Sequence, residues 1–278
     1  EIDQYNPTAV HIATEGPLGF LARAICRRSG RLFTTCYHTR FPEYLAARTS
    51  IPRKLTYSLL RSFHNAGAAT LVSSETLKEE LEARGFEQLK VWRRGVDTNQ
   101  FAHGERRDLG LARPVFLYVG RVAVDKNIEA FLTLDLPGTK LVIGDGPDRP
   151  RLQSLFPDSI FTGYKSGADL ASIYASADVF VFPSQTDTYG LVLLEALAAG
   201  TPVAAYDVPG PRDVLGQSGC GVLSNDLRHA AMAALTIDRS KCRAFGVSRT
   251  IRASAEHFLE IVVAATSAQT KIMHNRSM

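Results

Sequence analysis

Short apolar runs rich in β-branched residues alternate along this chain with segments whose apolar positions recur at helical spacing. That alternation predicts βαβ units and parallel sheets, an α/β fold. In the first part, strands are expected at 9–14, 32–38, 69–74 and 89–96, with helices at 17–28, 54–66 and 75–84. Ser74 before Glu75 and Leu77 has the form of a helix N-cap. A polar stretch from Asp97 to Arg113 reads as a linker. A second series follows, with strands at 114–120, 140–146, 160–164, 179–184 and 202–206 and helices near 127–134, 149–156, 167–176 and 190–199. Five strands in strict alternation predict a complete doubly wound domain. A helical pattern near 250–265 precedes a polar tail expected to fray.

The boundaries that follow are 1–98 for a first, partial Rossmann-like domain and 112–240 for a second Rossmann-like domain. Residues 241–278 form a helical segment expected to return towards the first domain. Four strands make a thin sheet, and the chain opens at Glu1 without a methionine. The expectation is therefore a first domain lacking its first βα unit or units. A chain so shortened should be weakly active or inactive until the upstream segment is restored.

Composition adds little. With 45% hydrophobic and 22% charged residues the 278-residue chain is globular, and no apolar run is long enough to span a bilayer. Cys26, Cys36, Cys220 and Cys242 are scattered without metal-ligand spacing and read as free thiols of a reducing compartment. The net charge of +4 favours anionic partners, yet no basic–aromatic cluster marks a nucleic-acid groove, so no nucleic acid is expected. Arg23, Arg27, Arg28 and Arg31 gather near one helix end, which fits a solvated face or a membrane-surface patch.

The chemistry concentrates in DTYGLVLLEALAAGTPVAAY, 187–206. Asp187 falls on a loop, Gly190 at a helix start, and Glu195 about a turn and a half inside that helix. A helix N-terminus seats phosphate, and Gly190 permits close approach of a ligand to the backbone. Glu195 lies within an apolar run, where a carboxylate needs a partner. The second signal is YVGRVAVDKN, 118–127, where Arg121 directly follows a strand and Lys126 comes five positions later. Two cations beyond a strand's carboxyl end can neutralise a diphosphate leaving group.

These segments resemble the retaining glycosyltransferases of family 4, which have the GT-B fold of two facing Rossmann-like doubly wound domains. Gly120, Arg121 and Lys126 match the G-R-x4-K segment. Asp187 and Glu195 match the two acids of the family's E-x7-E motif, the first shortened to Asp, with Tyr189 and Gly190 in its aromatic–Gly positions. The resemblance covers residues 9 to about 262 and is strongest to glycolipid-forming and GDP-mannose-dependent α-glycosyltransferases. It implies that Arg121 and Lys126 hold the diphosphate and Glu195 the ribose. Asp187 would hold hydroxyls of the transferred sugar, with the backbone of Gly190, Leu191 and Val192 lining phosphate and sugar. Gly163, Tyr164 and Lys165 fall where the family cradles the nucleobase. His38 matches the family's catalytic-side His, and Glu15 and Gly16 form a turn on the acceptor side.

Implied, then, is a hexosyltransferase using a UDP- or GDP-linked sugar and a lipid-type acceptor at an anionic membrane surface. It would be cytoplasmic or peripheral at the inner membrane face, and would retain configuration with a donor phosphate oxygen taking the proton. No cofactor or metal is expected, and the sequence has no D-x-D. A soluble saccharide acceptor, a non-catalytic GT-B nucleotide-binding module and a sugar-nucleotide epimerase are the alternatives.

Overall fold

The computed structural model describes all residues except 1–4, 6, 39, 47, 48, 188, 217, 277 and 278, and the side chains of 44 and 268–276. The chain divides into two compact units, residues 1–93 with 254–278, and residues 94–253.

The first unit carries a four-stranded parallel sheet in the order β1-β2-β3-β4: β1 (His11–Ile12), β2 (Thr34–Cys36), β3 (Ala69–Val72) and β4 (Leu89–Val91). The strands are shorter than their apolar patterns suggest. Helices α1 (Pro17–Arg28), α2 (Phe41–Ala46), α3 (Arg53–His64) and α4 (Glu75–Glu82) connect them. Ser74 caps α4 as its sequence predicts, its Oγ accepting from the Leu77 amide at 3.2 Å. Cores of Tyr37, Leu60, Leu77, Leu81 and Phe86, and of Ile12, Cys26, Phe33 and Phe63, bury the apolar stripes of these helices.

The second unit opens with α5 (Thr98–Phe101), capped by Asp97. Its strands are β5 (Val115–Val119), β6 (Thr139–Ile143), β7 (Ile160–Gly163), β8 (Val179–Phe182), β9 (Val203–Ala205) and β10 (Gly221–Leu223). Helices α6 (Ile128–Leu132), α7 (Arg149–Leu155), α8 (Gly167–Ser176), α9 (Leu191–Ala198), α10 (Pro209–Leu215), α11 (Leu227–Ala234) and α12 (Arg239–Val247) fill its two faces. A further helix, α13 (Ile251–Arg276), continues through the stretch where a frayed tail is expected.

The sheet is parallel in the order β10-β9-β8-β5-β6-β7. It therefore has six strands, against the five expected. The sixth, β10, is a three-residue edge pairing with β9, too short to stand out as an apolar run. Strand β5 is buried on both sides, which explains its unbroken apolar sequence. Val115, Leu117 and Val119 enter one core, while Phe116 and Tyr118 enter the core on the opposite face.

The strand order reverses between β5 and β8, so the carboxyl ends of these two strands form the topological switch point where open α/β sheets bind ligands. Arg121 follows β5, and Asp187 lies on the loop that follows β8. All four cysteines are buried. Among the described residues no helix is long and apolar enough to cross a membrane.

Candidate functional site

Three loops at the carboxyl edge of the second unit's sheet interlock through backbone contacts. The Gly120 amide donates to the Ile143 carbonyl (3.0 Å), Val122 to Asp145 (2.8 Å) and Gly144 to Gly163 (2.9 Å). So close an approach needs glycine. At Gly144, with φ +131°, a Cβ would lie 1.9 Å from the Gly120 oxygen. The Tyr118 hydroxyl donates to the Arg121 carbonyl at 3.0 Å, fixing the turn that presents the guanidinium.

A fourth loop joins these from β8. Lys126 is ion-paired with Asp187. The Asn127 side-chain amide donates to the Pro183 carbonyl at 3.1 Å, and the Thr186 hydroxyl to the Asp125 carbonyl at 3.4 Å. Arg121 pairs with Asp125 at 2.7 Å. Two cations and two carboxylates thus alternate across the switch point, and the cations engage the protein's own anions.

Helix α9 starts at the same edge. Gly190 stands before it in the left-handed region (φ +80°), where a Cβ would crowd Phe182 and Leu193 at 3.1 Å. It supplies no side-chain cap, so the first-turn amides of Leu191 and Val192 lack intrahelical partners. Glu195, one turn further in, is mostly buried. The partner that burial demands is Tyr174 of α8, whose hydroxyl donates to Glu195 Oε2 at 2.9 Å. Burial pushes the Glu195 carboxyl pKa up, and the Tyr174 hydrogen bond pulls against that rise. Burial beside Glu195 also drives the Tyr174 phenol far up, so it stays a donor.

Beside these loops lies a pocket of about 570 Å³. Arg121 and Glu195 line it together with Gly120, Gly144, Tyr164 and Lys165. Residues drawn from the turns after β5, β6 and β7 and from α9 therefore share one hollow. Gly163 and Tyr189 stand behind it. The former accepts from the Gly144 amide, and the latter is packed in the core. The pocket also takes in Gln100, Phe101, Asp145 and Leu170, which sequence reasoning missed. Asp145 and Gly144 belong to the G-x-G at 144–146, a signal too common to single out. The Asp145 carboxyl pKa is lowered by the Gly146 amide and by Arg149.

The other candidates lie in the first unit. His38 follows β2, its Nδ1 3.4 Å from Cys36 Sγ and its ring edge-on to Trp92. Glu15 follows β1 and bonds through Oε1 to His64 Nε2 at 3.0 Å. Gly16 precedes α1, whose Phe20 amide donates to its carbonyl at 3.0 Å. His64, fully buried at the end of α3, also meets Thr35 Oγ1 at 2.8 Å, and Thr35 meets Thr70 at 2.9 Å. This polar chain joins positions up to 49 residues apart, and no local pattern announces it.

Comparison with known proteins gives the family and the fold. Residues 113–238 fit the family described as glycosyl transferases group 1, and residues 1–100 that described as glycosyltransferase family 4. A GDP-mannose-dependent alpha-mannosyltransferase of Mycolicibacterium smegmatis is 31% identical over 257 residues, covering 88% of this chain and 68% of that protein. The chain belongs to glycosyltransferase family 4. A GDP-mannose-dependent alpha-mannosyltransferase of Mycobacterium tuberculosis is 35% identical, over 79% of this chain and 60% of that one. Alpha-monoglucosyldiacylglycerol synthase of Streptococcus pneumoniae is 30% identical, over 84% and 60%. This family 4 chain thus spans about 60% of the length of these curated relatives. Among solved structures, Anabaena HepE in complex with UDP superposes with a TM-score of 0.73 at 15% identity, covering 92% of this chain and 79% of that one. The fold is GT-B.

Proposed function

We propose that this family 4 glycosyltransferase moves a hexose, with retention of configuration, from a UDP- or GDP-linked donor to a lipid-type acceptor at an anionic membrane surface. One observation carries the donor part: a single pocket at the switch point brings together Arg121 and Glu195, with the Lys126–Asp187 pair in the adjoining loops. Its volume of about 570 Å³ is of the size small-molecule sites have. The lipid part draws support from a relative named as a glucosyldiacylglycerol synthase; the mannosyltransferases named as GDP-mannose-dependent favour a GDP-linked donor.

In this reading Glu195 accepts from the ribose hydroxyls, held in place by Tyr174. The diphosphate lies against Arg121, Lys126 and the opening turn of α9. Arg121 offers a planar fork and Lys126 a point charge, and both act on negative charge that grows as the sugar–phosphate bond breaks. An arriving diphosphate competes with Asp125 and Asp187 for these cations. Lys126 then exchanges a carboxylate for a phosphate, and Asp187 is released to accept hydrogen bonds from the sugar. Tyr164 and Lys165 border the nucleobase. His38, Glu15 and Gly16 are assigned to the acceptor side, near the reacting hydroxyl. No metal is assigned a role, since these cations and helix amides already supply positive charge.

Thermal-shift titration with GDP- and UDP-sugars tests this. Ligand at a hundred times its Kd stabilises the native state by about 2.7 kcal/mol, a Tm rise of about 5–10 °C for a unit of this size. The rise should vanish in Arg121→Ala and Lys126→Ala. A folded protein that no nucleotide sugar stabilises, or whose shift survives both substitutions, refutes the assignment.

A further inference from the structure

Helix α5 falls in the polar stretch that reads as a linker, yet two of its side chains, Gln100 and Phe101, line the pocket at the switch point. The helix is firmly held there. Asp97 caps it, Oδ1 accepting from the Asn99 and Gln100 amides at 3.0 and 3.2 Å. Phe101 is buried edge-on against Tyr174, their ring centroids 5.7 Å apart, and α5 packs on both α8 and α9. Shortly beyond its end, Gly104 passes so near α8 that a Cβ would stand 2.4 Å from the Ala171 carbonyl oxygen.

Tyr174 also holds Glu195, so one ring fixes both the carboxylate assigned to the ribose and the helix that carries Gln100. A nucleotide with its phosphates at Arg121 and its ribose at Glu195 must place its base in the lining that remains. The turn after β6 interlocks with Gly120 and Val122, at the phosphate end. That leaves α5 and the opening of α8 for the base.

Most of this lining is indifferent to which base arrives. Tyr164, 77% exposed, offers a ring face, and stacking accepts every base. Lys165 is paired with Asp169 at 3.3 Å, while Phe101 and Leu170 are apolar. Gln100 alone carries a donor and an acceptor side by side in one plane. Its amide is fixed in sense as well: Nε2 donates to the Gly167 carbonyl at 3.4 Å, and a flipped amide would set two oxygens against each other. One amide hydrogen and Oε1 remain, and Oε1 meets no donor among the described residues.

We infer that Gln100 selects the base of the donor: Oε1 accepts from the ring N–H of guanine or uracil, and the remaining Nε2 hydrogen donates to the carbonyl beside it. Guanine and uracil share that pair of groups. Adenine and cytosine present an amino group and a bare ring nitrogen instead, the inverse pattern, which an amide locked by Gly167 does not meet. Tyr164 holds the base by its face, and Gln100 reads its edge. This role rests on the donor assignment above and adds to it the residue that chooses the base.

Isothermal titration with GDP, UDP, IDP, ADP and CDP tests this. The better of GDP and UDP should bind about tenfold or more tighter than ADP and CDP, as the loss of well-made hydrogen bonds predicts. IDP lacks the 2-amino group of GDP and should match it, since Gln100 meets only the ring N–H and the carbonyl. Gln100→Met keeps the length of the side chain without its amide. It should weaken the preferred nucleotide about tenfold and leave ADP and CDP little changed, so that the preference collapses. Arg121→Ala should instead weaken every nucleotide alike and keep the preference. A preference that survives Gln100→Met, or an equal loss of all the nucleotides in that variant, overturns the inference. So does IDP binding as poorly as ADP, which would put the reading on the 2-amino group. A parent protein that binds every base equally overturns it too, while leaving the donor site standing. Binding of none of them would remove the donor assignment itself, and the role of Gln100 with it.

Discussion

Replacing Tyr174 with Phe removes one oxygen from a fully buried ring and leaves the mostly buried Glu195 carboxylate without its 2.9 Å donor. The packing is unchanged, so the cost is electrostatic. A hydrogen bond to a charged group is worth about 1.5–3 kcal/mol, a neutral one about 1 kcal/mol. The sign with pH follows from Glu195. Its folded-state pKa is raised by burial, so the native state holds its proton more tightly than the unfolded chain. Stability from that proton is complete below the unfolded carboxylate range and is lost as pH rises through the folded value. Tyr174 limits that loss by favouring the charged form, and Phe at this position does not. The variant should therefore lose about 1.5–3 kcal/mol at neutral pH, a Tm lower by roughly 3–12 °C, and only about 1 kcal/mol in acid. Calorimetry at both pH values reads this directly. Combining it with Glu195→Gln completes a double-mutant cycle, whose coupling should reach about 1 kcal/mol or more. A deficit equal at both pH values, with no coupling, would show that Tyr174 does not hold Glu195, and the account of the ribose-binding carboxylate would fail with it.

Two further outcomes follow from the same site. Glu195→Gln removes the buried charge and should raise the Tm of the donor-free protein at neutral pH, while weakening donor binding about tenfold or more, as loss of a charged hydrogen-bond acceptor does. Paired thermal and titration measurements check both halves. Gly144→Ala drives a Cβ to 1.9 Å from the Gly120 oxygen at a φ of +131°. It should destabilise the second unit by about 3 kcal/mol or more, seen as a lower urea midpoint, and should distort the turn that presents Arg121.

Much of this was legible in the residue order, for a reason the topology makes plain. Central strands such as β5 are buried on both faces, so they read as unbroken apolar runs, and the residues just beyond them are placed by sequence alone. Arg121 and Lys126 come shortly after β5 and Asp187 shortly after β8, and the sheet order brings those two strand ends together. What escaped lacked contrast or locality. Strand β10 is three residues at an edge, and α10 (Pro209–Leu215) contains two prolines and a glycine that ordinarily argue against a helix. In the 89–96 run, pairing ends at Val91 although the apolar character continues through Trp92, whose indole instead donates to the Ser254 carbonyl at 2.8 Å.

The supporting residues are the harder part. Glu195 announced that it needed a partner, but Tyr174 sits 21 positions away on another helix, and only the packed phase of α8 against α9 selects it. The same holds for His64 behind Glu15. Groups that meet a ligand sit at strand ends and inherit their position from topology. Groups that hold them inherit theirs from side-chain packing, which no spacing encodes. The Lys126–Asp187 pair joins the two kinds. Each partner is placed by topology, and their contact means that an anion arriving at Lys126 would compete with a carboxylate already held there. Affinity for the diphosphate is then a difference between two anions rather than the full attraction of one. Neutralising Asp187 as Asp187→Asn should accordingly tighten binding of the bare nucleoside diphosphate while lowering transfer of the sugar.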